Sequence, residues 1–139
     1  MAEGHGEEIG WFDQLVANIR ECHALVLETS GGAAGEHTAR LLASCARPFQ
    51  SAFGHDAFAD DVERAAALFH GIIAGHAFVD GNKRPATISA ILFLIARGRL
   101  TEKPSTLQVR LLGEVAVETA MSRLDVRDVT RWLHRIFDP

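Results

Sequence analysis

Apolar residues recur at steps of three and four residues through most of this 139-residue chain, which is the spacing of one face of an α-helix. The clearest stripe follows Asp61 and comprises Val62, Ala65, Phe69, Ile72 and Ile73. Turn and breaker residues separate several such segments, so the helices must pack on one another to cover their apolar faces. The pattern predicts an all-α fold.

About six helices follow from these stripes and from the residues that begin and end helices. We place them at residues 11–27, 36–46, 61–76, 82 or 83 to 97, 104 or 105 to about 121, and 126–137. Asp60 or Asp61 and later Asp125 are expected to cap helices. The fourth helix is apolar nearly all round, which predicts a central position. The segment from Pro48 to Asp56 breaks the helical spacing and predicts a short flap or hairpin between the second and third helices.

Inward faces are also predicted for the last two helices. For the fifth helix they are Leu107, Leu111, Val115 and Ala120. For the sixth they are Val129, Trp132, Leu133 and Ile136.

Length and composition favour one domain, residues 11–139, after a flexible tail at residues 1–10. The net charge of -4 argues against direct nucleic-acid binding, which needs a basic face. Cys22 and Cys45 are too few for a disulfide framework, which favours a reducing cytoplasm. No apolar run approaches the roughly 20 residues that span a bilayer, so we expect no membrane segment.

The segment HAFVDGNKR combines a base, a carboxylate, a glycine and two cations directly before the fourth helix. The carboxylate of Asp80 suits a hard divalent cation, and Gly81 lets the backbone approach a ligand closely. Lys83 and Arg84 add positive charge at a helix start, which already attracts anions. His76 can take up a proton near neutral pH. The segment predicts proton abstraction combined with phosphate stabilisation.

Each of these residues alone has a structural explanation. A histidine at a helix end is more often a cap than a base, and an aspartate or glycine between helices is usually a turn residue. Two cations at a helix start oppose the helix dipole, however, and therefore indicate an anion. The combination favours a functional site.

The segment resembles the core motif of the Fic/Doc superfamily, and most closely its Doc (death on curing) toxin branch. The Doc form, HxFxDGNKR or HxFxDANKR, is matched at all seven informative positions. The upstream elements Gly31-Gly32, Gly35 and Arg47-Pro48 are also similar to Doc-like chains in order and spacing. The resemblance covers roughly residues 15–137 and implies a compact Fic-like helical bundle with a small flap.

Two positions depart from the broader Fic pattern, HPFx[DE]GNGRxxR, because Lys83 replaces its second glycine and Thr87 its distal arginine. Both departures are shared with Doc. The resemblance to Doc therefore implies a protein kinase that transfers the ATP γ-phosphate to a Thr or Ser hydroxyl. For Doc itself the target is translation elongation factor Tu, and translation is blocked. The alternatives are AMP transfer of the Fic type and a non-catalytic binding module with the Fic fold.

The resemblance also implies roles for the residues of the motif. His76 would be the general base, and Asp80 would hold Mg²⁺ at the ATP phosphates. Nucleotide or phosphate binding would fall to Gly81, Asn82, Lys83 and Arg84, with the Asn82 side chain as part of an anion hole. Phe78 would be buried and anchor the loop.

Two interpretations are open for Phe49 and Phe53, two aromatic residues of the predicted flap. They are either ordinary core residues or part of a flap that docks the target by strand addition. The chain carries no inhibitory helix motif of the Fic kind, so a cognate antitoxin is expected to restrain it from outside. The other expected partner is the target protein in the cytoplasm.

Overall fold

A computed structural model describes the backbone of residues 2–139 and the side chains from residue 10 onward. The described chain forms six α-helices, and a 3₁₀ turn at Arg47–Phe49 leads into a two-stranded antiparallel hairpin. The helices are α1 (Ala2–Ser30), α2 (Thr38–Ala46), α3 (Asp61–Ala74), α4 (Lys83–Ala96), α5 (Thr106–Ala120) and α6 (Val126–Phe137). The hairpin strands are β1 (Ser51–Ala52) and β2 (His55–Asp56). The predicted all-α class, the number of helices and the position of the flap are confirmed.

Side-chain caps explain where three of the helices begin. Asp60 accepts a hydrogen bond from the Glu63 amide at the start of α3. Ser105 and Asp125 form reciprocal capping boxes with the third residues of α5 and α6, respectively. Each cap satisfies amide groups that have no partner inside the helix. These starts lie within two residues of the predicted ones.

Helix α3 lies at the centre of the bundle and packs against α2, α4, α5 and α6. All five residues of its predicted stripe are buried. Helix α4 is less central than predicted, because Ile88, Leu92 and Ile95 are about 40% exposed. These three residues lie four and three positions apart, on the side of α4 turned away from α3.

The inward faces of α5 and α6 differ from the predicted ones. On α5, Leu107 is exposed and the buried residues are Leu112, Val115, Ala116 and Thr119. On α6, Trp132 is 39% exposed, and the guanidinium of Arg135 lies 5.6 Å from its ring centroid. The buried residues of α6 are Val129, Leu133 and Phe137. Apolar character alone did not identify the inward face where apolar residues lie on both sides of a helix.

Helix α1 begins at Ala2, whereas the sequence predicts a start at Trp11 after the tail. The side chains of residues 1–9 lie outside the described part, and the flexibility of residues 1–10 stays a prediction. From Leu15 onward α1 contributes to the common core, with Ile19 only 1% exposed. Within the described residues, no helix has the length and hydropathy needed to cross a membrane.

Candidate active site

The turn between α3 and α4 presents His76 in an uncommon backbone conformation. The amide of Ala77 donates to the carbonyl of Ile72, and His76 has a φ of +49°. This is the left-handed position at the end of a helix that glycine usually occupies. A side chain there costs roughly 1–2 kcal/mol. Local strain of this kind concentrates at functional sites, and the imidazole of His76 is exposed.

The next residues are held in place by main-chain pairing with the segment before α2. The Val79 amide donates to the Gly35 carbonyl at 3.0 Å, and the His37 amide donates to the Ala77 carbonyl at 2.8 Å. Between them, Glu36 receives a bidentate hydrogen bond from Arg20 of α1 at 2.8 and 2.7 Å. That hydrogen bond lowers the pKa of Glu36. The turn is thus anchored to residues forty or more positions earlier.

The side chain of Asn82 closes the turn from inside. Its Oδ1 accepts from the Phe78 amide at 2.8 Å, and its Nδ2 donates to the Phe78 carbonyl at 3.0 Å. The sequence predicts this amide as part of an anion hole, whereas here it binds the main chain. Phe78 itself is 1% exposed. Asn82 therefore fixes the shape of the loop in this structure.

His23 of α1 supports the same loop from the other side. Its ring stacks on Phe78 with centroids 3.8 Å apart and an interplanar angle of 8°. Its Nε2 lies 2.7 Å from the carbonyl oxygen of Asp80. A carbonyl only accepts hydrogen bonds, so Nε2 carries the proton. His23 is only 6% exposed and thus belongs to the buried support of the turn.

The Asp80 carboxylate lies between the loop after α1, which contains Gly31 and Gly32, and the turn that contains Gly81. Its Oδ1 accepts from the Gly81 amide at 2.8 Å, and its Oδ2 accepts from the Ala33 amide at 3.3 Å. A β-carbon at Gly32 would lie 2.9 Å from Oδ2, and Gly32 has a φ of +110°. Both observations require glycine at position 32 for this approach.

A cavity of about 290 Å³ lies beside this carboxylate. Its lining comprises Val26, Ser30, Gly31, Gly32, Asp80, Gly81, Lys83 and Arg84. Lys83 and Arg84 form the first turn of α4, which contains no acidic residue, so their charges add to the positive end of the helix dipole. Arg84 also donates a hydrogen bond to the Ser30 hydroxyl. The cavity is suited to an anion.

The size of the cavity limits what it can hold. Sites that enclose a whole small-molecule ligand occupy about 300–1,000 Å³, so this one is at the lower bound. It fits the phosphate part of a nucleotide better than an entire nucleotide. The nucleoside would then lie outside it.

Asp80 is the motif residue able to bind a metal ion at this cavity. Among the side chains that the structure describes, no group of three or more His, Cys, Asp or Glu residues is gathered for a metal. Mg²⁺ is usually bound through one or two carboxylates together with substrate phosphates and water. The single carboxylate beside an anion cavity fits that kind of Mg²⁺ site.

His76 lines a second, larger cleft of about 710 Å³ between α2 and α3. The motif therefore borders two depressions, with His76 at one and Asp80, Lys83 and Arg84 at the other. The two depressions share no lining residue, and the turn between α3 and α4 contributes to both.

The two aromatic residues of the flap region lie in different surroundings. Phe49 packs between Trp11 and Phe93, with ring centroids 6.4 and 6.0 Å away. Phe53 is fully exposed at the tip of the hairpin, where its φ is +53°. Of the two interpretations made from the sequence, Phe49 fits that of a core residue. Phe53 is exposed and free to contact another molecule.

The site also includes residues that were given no role from the sequence, among them His23, Ser30 and Gly32. Gly32 was visible only as part of the Gly31-Gly32 element. For His23, no local spacing signals its role, because its partner Asp80 lies 57 positions away.

Comparison with known proteins identifies a family and a relative. The profile of the Fic/DOC family matches residues 11–94. Toxin Doc from Mycolicibacterium smegmatis is 43% identical over 58 residues, which make up 42% of this chain and 45% of that protein. The alignment thus spans about half the length of this curated relative.

Proposed function

Because the chain belongs to the Fic/DOC family, we propose that it is a Doc-like toxin that phosphorylates a target protein. The donor is ATP, and the acceptor is a Thr or Ser hydroxyl. By resemblance to Doc, the target is translation elongation factor Tu, and the result is arrest of translation. The observation that carries the proposal is the convergence of Asp80, Lys83 and Arg84 on one anion cavity, with His76 at a cleft bordered by the same turn.

The phosphates of ATP would occupy the anion cavity. Arg84 offers a planar fork to phosphate oxygens and Lys83 a point charge. Asp80 would hold Mg²⁺, which when bound neutralises and orients phosphate oxygens. Asn82 and His23 would keep the Asp80–Gly81 peptide in position, because each hydrogen-bonds the main chain of the turn.

His76 would act on the acceptor. Its imidazole takes the proton from the hydroxyl, and the oxygen forms a bond to the γ-phosphorus. The bond between that phosphorus and the β,γ-bridging oxygen breaks, and ADP leaves with the electron pair. Lys83 and Arg84 stabilise the negative charge that develops on the leaving phosphate. General-base catalysis of this type contributes typically 10²–10⁴-fold in rate.

The test is incubation of the purified protein with Mg²⁺, elongation factor Tu and ATP labelled at either the α- or the γ-phosphate. We expect label on the factor from γ-labelled ATP alone. The His76→Ala variant should lose at least about 100-fold of this activity. His134→Ala, which removes an exposed histidine of α6, should not. Label from α-labelled ATP would instead indicate AMP transfer.

The biological role has a separate test in cells. We infer that the protein acts in the cytoplasm, where a cognate antitoxin restrains it. Expression without the antitoxin should arrest growth, and His76→Ala should abolish the arrest. Growth arrest that persists in His76→Ala would favour a non-catalytic binding module over an enzyme.

A further inference from the structure

The cleft that contains His76 is lined by basic residues and by no acidic residue. Its ionisable residues are Arg40, Arg47, His70 and His76, and no Asp or Glu takes part in the lining. The chain as a whole carries a net charge of -4. The positive charge of the cleft is therefore a local feature, opposite in sign to the net charge of the whole chain.

The two arginines of the cleft have no carboxylate partner among the described residues. In the described part of the chain, neither Arg40 nor Arg47 forms an ion pair. Five other arginines do so: Arg20, Arg64, Arg97, Arg123 and Arg131. Arg40 is exposed, and one guanidinium nitrogen of Arg47 lies 3.2 Å from Nδ1 of His70. Arg47 is always a donor, so His70 must accept that hydrogen bond in its neutral form.

Burial and the neighbouring Arg47 charge lower the pKa of His70. The ring therefore stays neutral near pH 7 and leaves the arginines as the fixed charges of the cleft. The floor between them is formed by small residues of α2 and α3, among them Ala43, Gly71 and Ala74. Such a floor leaves room for a peptide main chain.

We infer that this cleft binds the acceptor segment of the target, and that the segment carries acidic residues beside the hydroxyl. This rests on the proposed function. Arg40 and Arg47 are seven residues apart on α2 and the turn that continues it, which places them about 10 Å apart on one face. An extended peptide covers that distance in about three residues. Carboxylates two to four residues apart, on either side of a Thr or Ser, would meet both arginines.

The experiment measures binding without turnover. Three peptides carry a central threonine flanked on both sides by glutamate, glutamine or lysine, and each is titrated into the ¹⁵N-labelled protein without ATP. We expect the glutamate peptide to shift amide signals of residues 40–50 and 70–76. It should bind at least about tenfold tighter than the lysine peptide at low salt, and lose this advantage at high salt.

Two charge reversals separate the cleft from the rest of the surface. Arg40→Glu should abolish or reverse the preference for the glutamate peptide. Arg110→Glu changes an exposed arginine of α5 and should leave it unchanged. Arg47→Gln, which retains a hydrogen-bond donor for His70, should reduce the preference roughly threefold.

Equal affinities for the three peptides, no detectable binding, or a preference that survives Arg40→Glu would overturn the inference. The proposed kinase activity is measured separately with labelled ATP. Charge-dependent binding without any phosphoryl transfer would reject the proposed function and retain the acidic-segment site. Phosphoryl transfer with no charge preference would support the proposed function and reject the acidic-segment site.

Discussion

Replacement of His23 by phenylalanine tests whether helix α1 supports the turn between α3 and α4, which we propose binds phosphate. The variant keeps an aromatic ring beside Phe78 but removes the Nε2 donor that lies 2.7 Å from the Asp80 carbonyl. An unsatisfied buried carbonyl costs about 1–3 kcal/mol. This hydrogen bond is only partly buried, so we expect about 1–2 kcal/mol. At about 3–4 °C per kcal/mol for a domain of this size, the unfolding midpoint should fall by about 3–8 °C.

The functional consequence should accompany the loss of stability. Without its support, the Asp80–Gly81 peptide can rotate, which weakens the hydrogen bond from the Gly81 amide that holds the Asp80 carboxylate beside the cavity. We expect ATP to bind about tenfold more weakly, which corresponds to about 1.4 kcal/mol. Thermal unfolding followed by circular dichroism and calorimetric titration with Mg²⁺-ATP measure the two effects.

Two further variants identify the source of the effect. His23→Gln keeps a donor but loses the stack on Phe78, which is worth about 0.5–1.5 kcal/mol, so it should retain more ATP affinity than His23→Phe. His134→Phe makes the same chemical change at an exposed position of α6 and should leave ATP binding as it is. A His23→Phe protein that melts within 1 °C of the wild type and binds ATP equally well would refute the reasoning.

Three other outcomes are expected. Gly32→Ala should weaken Mg²⁺-ATP binding about tenfold in calorimetry, because its β-carbon would lie 2.9 Å from Oδ2 of Asp80. Burial and Arg47 lower the pKa of His70 in the folded protein, so as pH falls this histidine is protonated in the unfolded chain first. The melting temperature should therefore decrease as pH drops below about 6.5. His70→Gln should flatten this pH dependence. Phe53→Asn should raise the free energy of unfolding in urea by about 0.5–1 kcal/mol, since asparagine adopts a φ of +53° more readily than phenylalanine.

Local signals were sufficient to predict most of the helical framework. Capping residues such as Asp60 and Asp125 act within one turn of their own helix, so their effect is visible in sequence. The orientation of a helix with apolar residues on several sides cannot be predicted in this way, because it depends on which other helices pack against it. For that reason the exposed side of α4 and the outward position of Trp132 were not predicted.

The same distinction applies to the site. The motif lies in one stretch of chain, so the grouping of Asp80, Lys83 and Arg84 beside a cavity follows from its local turn. The partners of that turn come from α1 and the loop after it. Neither the bond from His23 to Asp80 nor the approach of Gly32 has a local pattern, because each joins residues about fifty positions apart.

The distribution of the site over two distant segments has a consequence for fragments of the protein. A piece that begins after Ser30 contains the entire motif but lacks His23, Arg20 and the wall of the cavity contributed by α1. During synthesis, conversely, α1 leaves the ribosome first and has no site until the motif has followed and packed against it. The proposed activity would therefore require the assembled bundle, and a truncated chain that retains the whole motif should be harmless to the cell that makes it.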